Sequence, residues 1–246
     1  KLLEVVSVKD FGAVLDGVAN DATALFNANA AAAAAKAPLL IPGVMHIGTA
    51  TTITAPIVDG LHQMFSTTSS VTIGNGMPVR PEWWGGSAGS LVKAIDALPM
   101  TGGVVDLLPS DYNIVGYHHS TAFTGPYVGN EKKNVKLRGS GMPRKAADGT
   151  RFISGSGTVI QGSFINYADG FEAYDLGVDV GAYVTSTFNF GGYYPEGFVP
   201  GTHKFQGTPG DLSTYIQNVA FGNIKVLAVN NLNHAVLCEF INGLSH

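Results

Sequence analysis

The apolar positions of this chain change period along its length. Over 22–35, Ala22-Thr23-Ala24-Leu25-Phe26 runs on into near-unbroken alanine, the best helix former. A helix over Ala22–Ala35 is therefore predicted, capped by Asn20 or Asp21, burying Leu25 and Phe26 and stopped by Pro38. Leu91, Val92, Ile95 and Leu98 recur at i, i+1, i+4 and i+7, one apolar face of a second helix opening at Gly89-Ser90. Elsewhere the signal is short β runs: Leu2 to Val8, residues 39–47 broken at Pro42-Gly43, 51–53, 70–73 and Val104–Leu108. From about residue 134 onward only strands are predicted: 135–139, 158–160, 176–180, Tyr215–Phe221, Ile224–Val229 and Ala235–Cys238. Residues 182–213 interrupt this rhythm with Gly191-Gly192-Tyr193-Tyr194-Pro195-Glu196-Gly197 and read as a loop projecting from one coil.

Two of these segments repeat each other. Asp10-Phe11-Gly12-Ala13, a helix, then Leu40-Ile41-Pro42-Gly43 is matched by Glu82-Trp83-Trp84-Gly85, a helix, then Leu107-Leu108-Pro109-Ser110. Position 10 maps to 82, and 41 to 108. Near the C-terminus, Gln217 maps to Glu239 and Val219 to Ile241, the same offset in both pairs. An offset of that length suits one turn of a three-sheet coil whose strands stack about 4.8 Å apart. A stack of coils must hide its open ends, so each helix reads as a cap. The predicted fold is all-β, a parallel β-helix solenoid with short N-terminal capping α-helices. Residues 1–80 form a first capped unit, and 81–246 a second capped start with the longer stack.

Composition narrows the partners. Charged residues are 13% and apolar ones 45% of the 246 residues, so Ser, Thr, Asn and Gly must supply much of the surface. That suits an extracellular, carbohydrate-facing or tightly oligomeric protein. A net charge of −4 and the lack of a basic run argue against nucleic acid. No apolar stretch reaches the ~18 residues of a membrane span. The single cysteine, Cys238, excludes a disulfide framework and zinc-type clusters, and its apolar setting suits a buried small hydrophobe. The first residue is Lys rather than Met, which reads as a processed product or a piece of something longer.

Val8-Lys9-Asp10-Phe11-Gly12-Ala13, Asp16-Gly17-Val18-Ala19-Asn20-Asp21 and Leu40-Ile41-Pro42-Gly43 together resemble the opening of the pectate-lyase-like β-helix superfamily. Pro78-Val79-Arg80-Pro81-Glu82-Trp83-Trp84-Gly85 looks like the junction in bacteriophage tailspikes and tail fibres where a second β-helix start follows the first. The resemblance covers residues 5–115 and implies a right-handed coil. It also implies a homotrimer in a virion tail, outside the cell, meeting other phage tail proteins and host-surface polysaccharide. Two alternatives share the fold: a polysaccharide depolymerase (hydrolase or lyase) and a secreted bacterial pectate-lyase-like enzyme. Family members usually continue for several more coils, so an N-terminal portion is expected, with catalytic coils beyond His246.

Few side chains suggest chemistry of their own. Asp16, Asn20 and Asp21 suit turn formation and helix capping better than a cation site. Glu172, Asp175 and Asp179 are the densest acidic cluster and the candidate catalytic residues. Glycoside hydrolysis needs two carboxylates about 5–9.5 Å apart. Burial of Leu176, Val178 and Val180 turns Asp175 and Asp179 outward together, but four residues of straight strand separate them by about 13 Å. A pair on stacked coils would fit better, and a solvated acidic face is the favoured reading. Tyr167, Tyr174, Tyr183, Tyr193 and Tyr194, near the projecting loop, are the candidate carbohydrate contacts. Trp83-Trp84 falls where a strand enters the coil and reads as packing rather than a sugar platform. Arg138, Arg144, Lys145 and Arg151 could meet an acidic sugar, with surface or subunit-contact charge favoured. His118, His119, His203 and His234 pair with no basic cluster by spacing, and no metal or cofactor is implied.

Overall fold

The short apolar runs form strands, and every strand pairing among the described residues is parallel. The computed structural model describes residues 5–58, 60–86, 89–113, 134–161, 164–166, 170–179, 188–190, 217–227, 236–238 and 242–245. Two units are distinct in this chain, residues 1–99 and residues 100–246. The helix of the second motif copy thus belongs with the first unit.

The first unit contains β1 (Val6–Ser7), β2 (Asp16–Asn20), α1 (Ala22–Ala35), β3 (Leu39–Leu40), β4 (Val44–His46), β5 (Thr51–Ile53), β6 (Val71–Ile73) and α2 (Ser90–Asp96). Its pairings fall into three columns. Val6 lies against Leu39, and Leu39 against Ile57. Asp16 lies against Val44, and Met45 against Phe65. Thr51, Thr52 and Ile53 lie against Val71, Thr72 and Ile73. In each column a segment thus pairs in parallel with one further along the chain, which needs a crossover connection rather than a tight hairpin.

Helix α1 covers this stack with Leu25, Ala28 and Ala32, an i, i+3, i+7 stripe that is fully buried. Phe26, expected to bury, is 63% exposed, because one residue turns the helix by about 100° from Leu25. The helix ends where Lys36 adopts a left-handed conformation (φ 52°) before Pro38. In α2, Leu91, Val92 and Ile95 are all buried, as is Leu98 just past its end.

The doubled opening is not a strand in either copy. Val8–Phe11 and Pro81–Trp84 are 3₁₀ turns, each closed by a left-handed glycine, Gly12 at φ 86° and Gly85 at φ 90°. These two glycines need φ > 0 to let the chain leave the turn. They align the copies 12 to 85, so position 10 matches 83 rather than 82, and Trp84 rather than Trp83 stands where Phe11 stands.

The second unit contains β7 (Gly103–Asp106), β8 (Asp111–Asn113), β9 (Val135–Arg138), β10 (Val159–Gln161), β11 (Phe164–Asn166), β12 (Glu172–Asp179), β13 (Phe188–Phe190), β14 (Gln217–Leu227), β15 (Val236–Cys238) and β16 (Asn242–Ser245). One seven-stranded parallel sheet holds β7, β8, β9, β10, β12, β14 and β16, and it curls. A second parallel sheet has the order β11-β13-β15. Strand β12 spans two columns: its first half pairs with β9, its second with β10, and its whole length with β14. Within the runs 215–221 and 224–229, expected as two strands, Gln217–Leu227 is the single strand β14, whose pairing with β12 extends from Ala220 to Leu227. The expected match of Gln217 to Glu239 and of Val219 to Ile241 is corrected by the register. Gln217 pairs with Asn242 and Val219 with Leu244, so this layer is longer than the sequence offset implied. The number of residues from a strand to its parallel partner differs from pair to pair, so an identity-based offset slips.

Candidate functional site

Alternation in Val135-Lys136-Leu137-Arg138 buries Val135 and Leu137 and turns Lys136 and Arg138 outward. Register then fixes their neighbours: Lys136 lies across from Glu172, and Arg138 lies between Asp106 and Tyr174. Lys136 Nζ is 2.9 Å from Glu172 Oε1. Arg138 donates from both Nε (2.6 Å) and Nη2 (2.9 Å) to the Asp106 carboxylate, which holds the guanidinium pKa up. These are surface pairs, each worth about 0–1 kcal/mol. Tyr174 lies over the bare backbone of the next strand, where a Cβ on Gly222 would sit 2.6 Å from its ring. Partial burial, then the charge and hydrogen bond of Glu172, push the phenol's pKa up, against a smaller opposite pull from Lys136.

The three candidate carboxylates therefore have different settings. Glu172 is engaged with Lys136. Leu176 and Val178 are buried and Asp179 is half-buried at the end of β12. Asp175, however, has φ 55°, a left-handed corner that interrupts the pleat of β12, so 175 and 179 do not lie on one straight strand. Of the candidate sugar contacts, only Tyr174 is among the described residues; Tyr167, Tyr183, Tyr193 and Tyr194 lie outside them. The loop expected over 182–213 also lies outside them except for β13, as do His118, His119, His203 and His234. The role of Lys136 was not read from the sequence. Its signal, an outward cation in an alternating run, acquires meaning only once β9 is placed beside β12.

Between β9 and β10 the chain leaves the sheet as an ordered arm, residues 139–158. Its base is clasped by Thr158, which is fully buried: its Oγ1 donates to the Leu108 carbonyl (2.8 Å) and accepts from Ser140 N–H (2.9 Å), and its N–H donates to Gly141 O (3.0 Å). Ser140 Oγ also donates to Leu107 O. Further out, Ala146 N–H donates to Arg151 O (2.9 Å) and Ile153 N–H to Arg144 O (2.8 Å), with Lys145 opposite Phe152 in an antiparallel bridge. Pro143 and Phe152 pack down on Gly177, where a Cβ would meet Pro143 Cδ at 2.8 Å and Phe152 Cε2 at 3.1 Å. Arg144, Lys145 and Arg151 are left exposed.

In the first unit, the acidic loop is occupied by its own backbone. Asp21 accepts from Val14 N–H (2.7 Å) and Leu15 N–H (3.2 Å), and Asn20 Oδ1 from Ala22 and Gly48 N–H (each 3.1 Å). Asp16 Oδ1 accepts from Val18 and Ala19 N–H (each 2.8 Å), which lowers its pKa. A carboxyl depressed on folding adds stability at and above its ordinary pKa and loses it as pH falls through the lower, folded value. The Asp16–Ala19 turn is therefore expected to hold through mildly acid pH and open below the ordinary carboxylate range. Amide exchange at Val18 and Ala19, followed on lowering the pH, should accelerate there, and Asp16→Asn should abolish that pH step.

Trp83 and Trp84 are 0% and 1% exposed, and Trp84 lies 5.3 Å from the Phe65 ring, so both belong to the core. Among the described residues, no three His, Cys, Asp or Glu side chains converge as metal ligands, and no helix is long and apolar enough to cross a membrane. Comparison with protein-family models, with curated proteins and with solved structures finds no match to this chain.

Proposed function

We propose that the chain is part of a bacteriophage tailspike or tail fibre, a right-handed parallel β-helix that assembles as a homotrimer and binds host cell-surface polysaccharide. The observation that carries this reading is the parallel register itself. Segments near 6, 39 and 57, and again near 45 and 65 and near 51 and 71, stack layer on layer beneath the helix α1. Such a stack offers long flanks for subunit contact and a regular outer face for an extended polymer. The low charge content, with Val14, Val18, Phe26 and Leu61 exposed, fits flanks that bury against copies of the same chain. On the outer face, charged pairs and the Tyr174 ring supply the hydrogen bonds and apolar surface that a sugar chain uses. Binding is favoured over cleavage because Glu172, one of the three candidate carboxylates, is engaged by Lys136.

Light scattering on the purified chain tests the assembly. The expected mass is three times the 25.6 kDa of one chain. A monomer that also retains no polysaccharide on a glycan array would sink the proposal.

A further inference from the structure

We infer that the arm 139–158 is the anion-reading part of this polysaccharide site, and that its ligand is a carboxylate-bearing polysaccharide held between Arg144 and Arg151. The inference rests on the polysaccharide-binding reading above and adds the class of sugar and the residues that select it.

The arm carries three cations, Arg144, Lys145 and Arg151, against one carboxylate, Asp148, on a chain whose net charge is −4. The pairing sorts these side chains by face. Lys145 stands opposite Phe152, and Phe152 is buried, packed with Pro143 on Gly177. The residues on either side of that pair point the other way. Arg144 lies opposite Ile153, and Ala146 opposite Arg151, each joined by a backbone hydrogen bond. Arg144 and Arg151 are thus diagonal neighbours on the outward face, about 7–8 Å apart at the backbone, with Ile153 beside Arg144 and 40% exposed. Asp148 does not neutralise them by a close ion pair. Its Oδ1 accepts from Thr150 N–H (3.0 Å), the first cause of its lowered pKa, and Arg151 enters only as a weaker electrostatic influence.

Two forked guanidiniums flanking a branched apolar side chain match a sugar ring that carries a carboxylate. Each fork reads a planar anion by paired N–H bonds, and Ile153 offers a floor for the ring's C–H face. The spacing and number of charges disfavour nucleic acid. Duplex DNA presents one charge per roughly 1.7 Å, and its binding proteins neutralise roughly 6–10 phosphates. Three cations on a short arm suit a polymer with one charge per sugar or fewer. The arm is also braced to hold the two arginines in place. Thr158 ties its base, Arg144 N–H donates to Ser156 Oγ (2.8 Å), and Ser156 Oγ donates to Ile153 O (2.6 Å). A ligand would meet a preformed surface and would not have to order a loop.

The test is binding of the full chain to purified bacterial capsular and O-antigen polysaccharides, carboxylated and neutral, with polygalacturonate and dextran beside them. Wild type is expected to prefer carboxylated polymers and to weaken as salt rises. Arg144→Ser with Arg151→Ser should weaken that binding by about tenfold per arginine, with far-UV circular dichroism unchanged. Lys145→Gln, on the other face, should change it less than threefold. Full retention by the double variant, or a preference for neutral polymers, overturns the inference and leaves polysaccharide binding standing. A loss in Lys145→Gln equal to that of the arginines overturns it as well, since only the arm's net field would then matter. Tighter binding to duplex DNA or to anionic phospholipid vesicles overturns it in favour of a general polyanion surface. Binding to no polysaccharide overturns both readings.

Discussion

Asn29→Ala is expected to cost the first unit about 3–5 kcal/mol, far more than an ordinary helix substitution. Asn29 is 7% exposed on α1, and it fastens the helix to the segment from Thr52 to Ala55. Its Oδ1 accepts from Thr54 N–H (2.9 Å) and Ala55 N–H (3.0 Å), and its Nδ2 donates to Thr52 O (3.2 Å). Alanine would strand two donors and an acceptor, the Ala55 N–H in a buried position and the Thr54 N–H and Thr52 carbonyl in part-buried ones. Each buried, unsatisfied group costs about 1–3 kcal/mol, against a gain of only about 0.6 kcal/mol in helix propensity. The chain's two tryptophans, Trp83 and Trp84, both lie in the first unit, so tryptophan fluorescence follows that unit during heating. At about 4–8 °C per kcal/mol for a unit of this size, the fluorescence transition should fall by at least about 10 °C. Asn27→Ala, at an exposed position of the same helix, is the control and should raise it slightly. Equal transitions for the two variants would show that the helix is not held by this side chain.

The role of Asn29 illustrates what the chain's pattern reveals and what it hides. Helix α1 was legible to the residue because alanine propensity and Pro38 are local signals. That Asn29 faces inward, whereas Phe26 faces out, depends on the azimuth at which the helix packs against the strands of the first unit. No local signal carries that azimuth. The capping role expected of Asp21 is a related case. Its carboxylate does not cap α1 but closes the preceding loop through Val14 and Leu15.

Strand existence was equally legible, since apolar runs bounded by Gly and Asn mark it whichever partner is found. Register was not. In the second unit Val159 pairs with Gly177, whereas Leu176 pairs with Ile224, a much longer stretch of chain for one step between layers. An insertion such as 139–158 lengthens one connection and spares another. Candidate site residues inherit that difficulty. Arg144 and Arg151 were visible as cations, but their shared face follows from Phe152 being the residue that packs down. Glu172 was visible as an acid, but the lysine that engages it, Lys136, sits far earlier in the chain, one layer away.

Gly139→Ala is expected to open the second unit where the arm departs. Gly139 N–H donates to Tyr174 O (2.8 Å) and Gly141 N–H to Asp175 O (3.0 Å), holding the end of β9 against the corner of β12. A Cβ on Gly139 would overlap the Asp175 carbonyl oxygen and stand 2.9 Å from the buried Leu176 Cβ. Overpacking usually costs about 1–3 kcal/mol, and it falls lowest where a flexible side chain can yield. Here the obstacle is backbone, already held at a left-handed φ of 55° in Asp175, which itself disfavours further distortion. The cost should reach or exceed about 3 kcal/mol, with β9 and β12 parting first. Hydrogen exchange of peptides covering 135–138 and 172–177 should lose at least tenfold in protection. Gly149→Ala, at the arm's tip with φ 70° and nothing within 4 Å of the added carbon, separates space from conformation. It should carry only the penalty of a left-handed alanine, about 1–2 kcal/mol, without exposing either strand. Protection of β9 and β12 that survives Gly139→Ala would mean that the corner can yield to the added carbon.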